Sequence, residues 1–294
     1  MTIRATCVRG GLCLLLALSI PGIAAAQEQD PVPQPPPAPT TPQAPPVSSD
    51  PDRRLDPLQP DFNLAALPTT LRLPKNKMSF RVTHRFTRSL GSGDFGDLVN
   101  DFFGFDSAAQ IGLELRYGLL PGTQIGVHRT SDKTIEIFGQ QNLMQQKPDG
   151  HPLGIDVIAT FEGLDNMKDQ KLGAVGLLVS RKVAKIAALY VEPMFVANTN
   201  PNATGDNNTS MIGLGARVRI RPATYLVGEI TPRLSGYRPG VNQGSFGIEG
   251  RAGGHTFQIN FSNGFGTTLG QIASRGGVTA DSWYIGFNIS RKFF

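Results

Sequence analysis

Hydrophobic and polar residues alternate along most of this chain from Met78 onward. In the segment MSFRVTHRF, for example, Phe80 and Val82 are apolar and their neighbours Arg81 and Thr83 are polar. A period of two predicts β-strands with one apolar and one polar face. The pattern recurs in twelve candidate strands, at residues 78–86, 108–120, 123–131, 133–145, 151–163, 171–183, 186–198, 211–222, 223–234, 243–252, 254–263 and 281–293.

The connections between these segments favour a membrane barrel over a soluble sandwich. Long connections, such as residues 90–107 and 264–280, mostly alternate with tight turns such as Pro121-Gly122 and Gly253-Gly254. Transmembrane barrels have long loops outside the cell and short turns in the periplasm. We therefore predict an all-β fold: a transmembrane antiparallel β-barrel of about 12 strands in an up-and-down meander. An even number of strands places both termini in the periplasm.

The N-terminus predicts export. Residues 1–26 combine Arg4 and Arg9 with the apolar run GLCLLLALSI and small residues up to Ala26, which is typical of a cleaved signal peptide. Cys7 and Cys13 both lie in this segment, so the mature chain is predicted to contain no cysteine. Export and the barrel pattern together predict the outer membrane of a Gram-negative bacterium.

A proline-rich segment follows the signal peptide. Residues 27–60 include PVPQPPPAPTTPQAPP, a composition typical of an extended spacer that buries nothing. We predict a largely disordered periplasmic spacer at residues 27–72 and a barrel at residues 73–294. Residues 27–60 are also a candidate binding segment for a periplasmic partner.

One segment of the first long loop has a helical period instead. Phe95, Leu98, Val99, Phe102 and Phe103 follow the spacing of an amphipathic helix. The favoured interpretation is a lid that packs on the barrel mouth or folds into the lumen. The alternative is a platform for an apolar ligand.

The polar faces of the strands predict a charged lumen. The candidate lumen and selectivity residues are Arg81, Arg85, Glu114, Arg116, Arg217, Arg219 and Arg221. The last three form an arginine ladder on one strand, above which stand only Gly213 and Gly215. Clustered positive charge in a channel favours anions. We therefore predict a narrow channel or transporter for small solutes, with anions as candidates. A barrel whose charges pair across the lumen and close it is the alternative, with a structural or partner-binding role.

With these segments in place, the chain resembles a family of bacterial β-barrel proteins, domain of unknown function 5777. The matching stretches run in order over residues 71–294, and they are LPKNKMSFRVTHRF, NDFFGFDSA, VHRTSDKTIE, LLVSRK, GGHTFQINFSN and GFNISRKFF. One departure is Ile135, where the family tends to have tyrosine. The resemblance implies a barrel and an outer-membrane location. It implies no activity and no catalytic residue.

An enzyme is not predicted. The stretch NFSNG is similar to the His-x-Ser-Asn-Gly motif of outer-membrane phospholipases and deacylases, but Asn260 stands where the basic histidine would be. Ser262 would then lack a base, and we expect it to be a polar residue that faces the lumen. A lipid-active hydrolase is the most distant of the three hypotheses.

Neither a metal site nor a nucleic-acid site is predicted. The histidines at positions 84, 128, 151 and 255 show no ligand spacing, and no cofactor motif occurs. The formal charge is +5 and falls to +3 when the two signal-peptide arginines are removed. That charge is too small and too dispersed for nucleic-acid binding.

The last strand predicts an assembly signal. A terminal aromatic residue, here Phe293 or Phe294, resembles the signal that the outer-membrane insertion machinery recognises, and outer-membrane lipid is the other expected partner. Phe293 has the apolar phase of the strand, whereas Phe294 shares the phase of Ser290. A bulge near the end, or a signal carried by Phe293, would reconcile the two.

Overall fold

A closed antiparallel β-barrel forms most of the computed structural model, which describes residues 56–147, 149–202 and 205–294. The strands are β1 (Met78–Phe86), β2 (Ala109–Leu120), β3 (Thr123–Thr130), β4 (Ile135–Met144), β5 (Gly154–Gly163), β6 (Lys171–Val183), β7 (Ala187–Ala197), β8 (Asn208–Arg221), β9 (Thr224–Thr231), β10 (Arg233–Gly236), β11 (Gln243–Ala252), β12 (His255–Ser262) and β13 (Tyr284–Phe293). The predicted signal peptide and residues 27–55 lie outside the described residues.

The sheet closes because its first and last strands pair. β1 lies between β2 and β13, and the remaining strands pair in sequence order around to β8 and β9. β9 and β10 are one strand interrupted at Pro232, which has no N–H to donate. The barrel therefore has twelve strands, and the predicted fold class is confirmed.

The two ends of the barrel differ. β1 begins and β13 ends at one end, which we call the terminus end, and tight turns such as 121–122 and 253–254 lie there. The opposite, loop end carries the long connections 87–108 and 263–283. β13 pairs with β1 in regular register as far as Phe293. No bulge shifts this end, so Phe293 stays on the outer face and Phe294 lies beyond the strand.

The described residues contain three short α-helices, all at the loop end: α1 (Phe95–Asn100), α2 (Leu164–Met167) and α3 (Leu269–Arg275). None of the helices in the described part of the chain is long and apolar enough to cross a membrane. α1 confirms the short helix predicted in the first long loop. Its position differs from the predicted lid, however, because α1 has no buried residue.

The N-terminal segment lies inside the barrel. Residues 58–71 are all buried, and we call residues 58–72 the plug. The sequence predicted a disordered spacer up to residue 72, but the structure shows that ordered packing begins some fifteen residues before Leu73. The plug and the barrel wall therefore belong to one folded unit.

A second insert closes the lumen from the loop end. Leu269, Ile272 and Ala273 of α3 are buried in one apolar cluster with Leu64 and Leu67 of the plug. The wall contributes its apolar inward residues to the same cluster, and these are Ile158, Leu172, Ala174, Leu178, Ala188, Tyr190, Met194, Val196, Met211 and Val227. One side of the lumen is thus a hydrophobic core, and the other side is charged.

Candidate functional site in the barrel lumen

The plug turns back on itself in the middle of the barrel. The N–H of Thr69 donates to Phe62 O at 2.7 Å, and the N–H of Leu64 donates to Leu67 O at 2.8 Å. Residues 62–69 therefore form a tight hairpin turn. The backbone groups at its tip point away from the turn, so the wall must satisfy them, since buried N–H and C=O groups are rarely left unpaired.

Glu229 on β9 binds the tip of this turn. Its carboxylate accepts hydrogen bonds from the N–H groups of Ala65 (3.0 Å), Ala66 (2.9 Å) and Leu67 (3.0 Å). Three converging donors and a charged acceptor form a strong, directional contact. We call Glu229 the plug anchor.

The carbonyl groups of the turn are bound by the neighbouring strands β12, β13 and β1. Ala65 O accepts from Arg81 Nη2 at 2.5 Å, from Arg85 Nη2 at 3.2 Å and from Asn288 Nδ2 at 3.0 Å. Gln258 Nε2 donates to Leu64 O at 3.1 Å. Charged and amide side chains of the wall thus recognise the backbone of the plug.

The predicted arginine ladder does not line an open passage. Arg217 is fully buried, donates to Asn63 O at 2.7 Å and pairs with Glu249 at 3.0 Å. Arg219 is half-buried and Arg221 is exposed at the end of β8. Only one member of the ladder is therefore buried in the lumen, and its charge is already neutralised.

Gly213 and Gly215, next to this ladder, leave the space that two leucine side chains of the plug occupy, and we call this pair of sites the plug socket. A side chain at Gly215 would collide with Leu64, and one at Gly213 would press on Leu67 and Met194. Plug leucines therefore fill the space next to these two glycines. Absent side chains on β8 allow the turn to approach the wall closely.

A second charged contact lies nearer the terminus end. Asp61 of the plug accepts from Ser290 Oγ at 2.7 Å and lies 3.4 Å from Lys292 Nζ. Arg116 pairs with Glu114 at 2.9 Å, and its guanidinium lies 5.1 Å from the ring centroid of Phe62. The predicted lumen residues Arg81, Arg85, Glu114 and Arg116 are all buried around the plug.

The lid helix α3 is tied to the β3–β4 loop. Arg275 Nη1 lies 2.5 Å from Asp132 Oδ2, and Gln271 Nε2 donates to the same carboxylate at 3.3 Å. Partial burial acts to raise the pKa of Asp132, but the hydrogen bond from Thr130 and the charge of Arg275 outweigh it and lower this pKa to about 2. The pair therefore stays charged throughout the physiological pH range.

Glu192 on β7 differs from these paired carboxylates. It is fully buried, and neither of its side-chain oxygens has a hydrogen-bond partner among the described residues. Burying such a group costs more than burying one that is hydrogen-bonded. Glu192 therefore contributes a polar group to the wall without holding the plug.

A polar cavity of about 380 Å³ remains at the terminus end, between the plug and strands β4 to β6. Gln59 and Thr70 of the plug line one side, and Asn142, Gln146 and Ser180 line the other. Thr70 Oγ1 and Ser180 Oγ are 2.5 Å apart across this boundary. The plug therefore forms one wall of this cavity.

Residues 61–293 match the family model described as "Membrane bound beta barrel domain (DUF5777)". The chain belongs to this family. The match begins at Asp61 and therefore includes most of the plug, and it confirms the resemblance seen in the sequence. The outer face of this membrane-bound barrel, with Phe80, Leu113 and Ile259 exposed, is the face turned to lipid.

Three solved structures are similar to the DUF5777 barrel. An outer-membrane channel from Pseudomonas putida F1 is 7% identical with a TM-score of 0.49, and the match covers 75% of this chain and 97% of that chain. The NanC porin is 10% identical with a TM-score of 0.49, and the match covers 74% of this chain and 99% of that chain. A mutant of the Rh. blastica porin is 13% identical with a TM-score of 0.33, and the match covers 63% of this chain and 55% of that chain. A search of the curated proteins found no match.

The serine of the hydrolase-like motif is a structural residue of the DUF5777 barrel. Ser262 is buried and faces the lumen, as predicted. Its hydroxyl accepts from Ser245 Oγ at 3.1 Å and donates to Gly244 O at 3.3 Å. Neither partner is a base that could activate it for attack.

Proposed function

We propose that this protein is an outer-membrane channel for small solutes, held closed by its own plug and lid. The observation that carries the proposal is the nature of the contact between plug and wall. Side chains of the wall bind the plug through its backbone, at Glu229, Arg81, Arg85 and Arg217. Water can replace such contacts when the plug leaves, because polar groups keep hydrogen-bond partners in a wet lumen.

The charged wall supports the same conclusion. Six basic and seven acidic inward side chains are buried: Arg81, Arg85, Arg116, Arg217, Arg233 and Lys292, and Glu114, Glu136, Asp156, Glu162, Glu192, Glu229 and Glu249. In a barrel that stays filled, apolar packing would avoid the desolvation cost of so many charges. Charged and polar interiors are typical of barrels that conduct. A barrel of twelve strands is intermediate in width between barrels of about eight strands, whose interior is filled by side chains, and barrels of about sixteen strands, which are open pores.

The charges left by the plug support a preference for anions. When the plug leaves, Arg81 and Arg85 lose Ala65 O, and Lys292 loses the carboxylate of Asp61. Of the acidic groups of the wall, Glu229 loses its plug partners and Asp156 loses the charge of Arg72. The proposed selectivity element is therefore Arg81, Arg85 and Lys292, instead of the ladder that ends at Arg221, since Arg217 stays paired with Glu249.

The proposed orientation places the terminus end in the periplasm, because short turns lie at that end of a bacterial barrel and long loops lie outside the cell. The plug then enters from the periplasm, and α3 covers the outer mouth.

Planar-bilayer conductance tests this function. We compare the full chain with a variant in which residues 58–70 are replaced by glycine and serine at equal length. The full chain should be mostly closed. The variant should conduct and prefer chloride over potassium, because α3 also loses the apolar cluster with Leu64 and Leu67 that holds it in the mouth. Circular dichroism checks that the variant has formed its barrel.

A closed variant with an intact barrel would contradict the channel. It would favour the alternative, a non-conducting barrel with a structural or partner-binding role, for which the filled lumen is the supporting observation. In that case a pull-down with and without residues 27–55 tests for a periplasmic partner. A cation preference would contradict only the proposed selectivity.

A further inference from the structure

The first long loop presents an apolar surface that the barrel does not cover. We call residues 95–105 the aromatic flap. Phe95 is 74% exposed and Phe102 is 61% exposed, and Val99, Phe103 and Phe105 are also exposed. Clustered exposed apolar side chains of this size mark an interaction surface, because water is a poor solvent for them.

The flap hangs over the outside of the barrel instead of covering its mouth. The ring of Phe105 lies 4.7 Å from the ring of Phe86, whose side chain is on the outer face of β1. Phe86 in turn lies 6.2 Å from Phe287 on the outer face of β13. The mouth itself is closed by α3, so the flap has no part in that closure.

The flap has a defined conformation. Asp94 and Asp97 form a capping box at the start of α1, and Arg88 pairs with Asp101 and donates to Ser92 O at 2.9 Å. Outward presentation of the rings is therefore built into the loop.

The flap continues an aromatic belt at the loop end of the wall. Trp283 lies 5.3 Å from Phe246, and Phe246 lies 5.3 Å from Phe261, all on the outer side of β11 to β13. The base of the flap joins this belt, since the N–H of Leu90 donates to Trp283 O at 2.8 Å. Aromatic girdles of this kind mark the membrane–water interface of barrels.

We infer that the aromatic flap is a membrane-contacting element that inserts its phenylalanine side chains into the lipid leaflet at the loop end. The occupant of the apolar surface is the acyl-chain boundary of that leaflet, because the flap is continuous with the lipid-facing wall of a membrane-bound barrel. The flap thereby widens the hydrophobic girdle next to the β1–β13 seam. This role rests on the membrane-bound fold and does not depend on whether the lumen conducts.

Tryptophan fluorescence tests the contact, because Trp283 is the only tryptophan of the chain. In a Trp283→Phe background, Phe102→Trp places the probe on the flap. A matched control, Asn202→Trp, places it in the exposed β7–β8 loop at the same end of the barrel. Each protein is reconstituted in phosphatidylcholine vesicles with and without brominated acyl chains, and each is also titrated with iodide.

The Phe102→Trp probe should be quenched several-fold more by brominated lipid than the control, and it should be shielded from iodide. Quenching by iodide to the same extent as the control would overturn the inference, because the flap would then lie in water. Protection from both quenchers would also overturn it, because the surface would then be covered by protein, such as a second copy of the chain.

Discussion

Glu229→Gln removes one charge from the plug anchor while keeping the size of the side chain, and we expect it to loosen the plug. The amide oxygen of glutamine can replace Oε2, which accepts from Ala65 and Leu67. The amide nitrogen must then replace Oε1, which accepts from the N–H of Ala66 at 2.9 Å. Two donors would face each other there, and the remaining bonds would lose their charge.

The size of the effect follows from these three bonds. Hydrogen bonds to charged groups contribute about 1.5 to 3 kcal/mol, and neutral ones contribute about 0.5 to 1.5 kcal/mol. Weakening the two bonds from Ala65 and Leu67 should cost roughly 2 to 3 kcal/mol, and the N–H of Ala66 keeps a contact with Oε2 at 3.1 Å. Because about 1.4 kcal/mol is a factor of ten, the ratio of released to bound plug should rise roughly 30- to 150-fold. The β9 ladder uses backbone groups and should be unaffected.

Open probability in planar bilayers measures this ratio. The matched control is Glu192→Gln, which also replaces a buried lumen carboxyl group by an amide but touches no hydrogen-bond partner in the described structure. We expect frequent openings for the Glu229 variant and wild-type behaviour for the control. Equal effects of the two substitutions would refute the reasoning, because they would show that the loss of any buried lumen carboxyl group, and not of the plug anchor, sets the opening.

Two further predictions concern the plug socket and the lid. Gly215→Val should displace Leu64 and raise the conductance. The control Gly228→Val, at a site with open space around it, should leave the conductance unchanged. Similar currents for the two variants would show that the contact at Gly215 does not hold the plug. Asp132→Asn should speed hydrogen exchange in the lid by removing the partner of Arg275. In the wild type the pKa of Asp132 is lowered to about 2, so its contribution to the stability of the lid is complete above the unfolded pKa of about 4 and is lost as the pH falls through about 2. Hydrogen exchange in the lid that accelerates already near pH 6 would contradict this assignment.

The wall of the barrel could be predicted from the sequence because alternation specifies both strand and face. Arg81 and Arg85 are two positions apart and lie on the same face, and the structure buries both in the lumen. Alternation gives no depth, however. Arg217 and Arg221 share a phase, but one is fully buried and the other lies at the exposed end of β8.

The plug could not be predicted in this way, because its partners lie far away along the chain. Ala65 meets Glu229 across 164 positions, and no local period signals such a contact. One signal was available: after Pro60 the composition changes to FNLAALPTTLRL, whose leucines are unsuited to a solvated spacer. The apolar inward residues of β6, such as Leu172 and Leu178, also indicate that the lumen holds something apolar.

The lid helix was missed for a related reason. α1 has a clear apolar stripe, but periodicity does not show whether the stripe faces protein or lipid. The buried helix α3 is short, and its signals are at its ends. The side chain of Thr268 accepts from the N–H of Gln271, and Gly276 follows the last residue in a positive-φ conformation that suits glycine.

A reversible cross-link between plug and wall tests most directly whether the plug is the gate. Thr70 Oγ1 and Ser180 Oγ are 2.5 Å apart, so Thr70→Cys and Ser180→Cys should form a disulfide. It would be the only cysteine pair in the mature chain if Cys7 and Cys13 are removed with the predicted signal peptide. In the Glu229→Gln background, the oxidised protein should stay closed and the reduced protein should open. The same current before and after reduction would contradict a gating role for the plug.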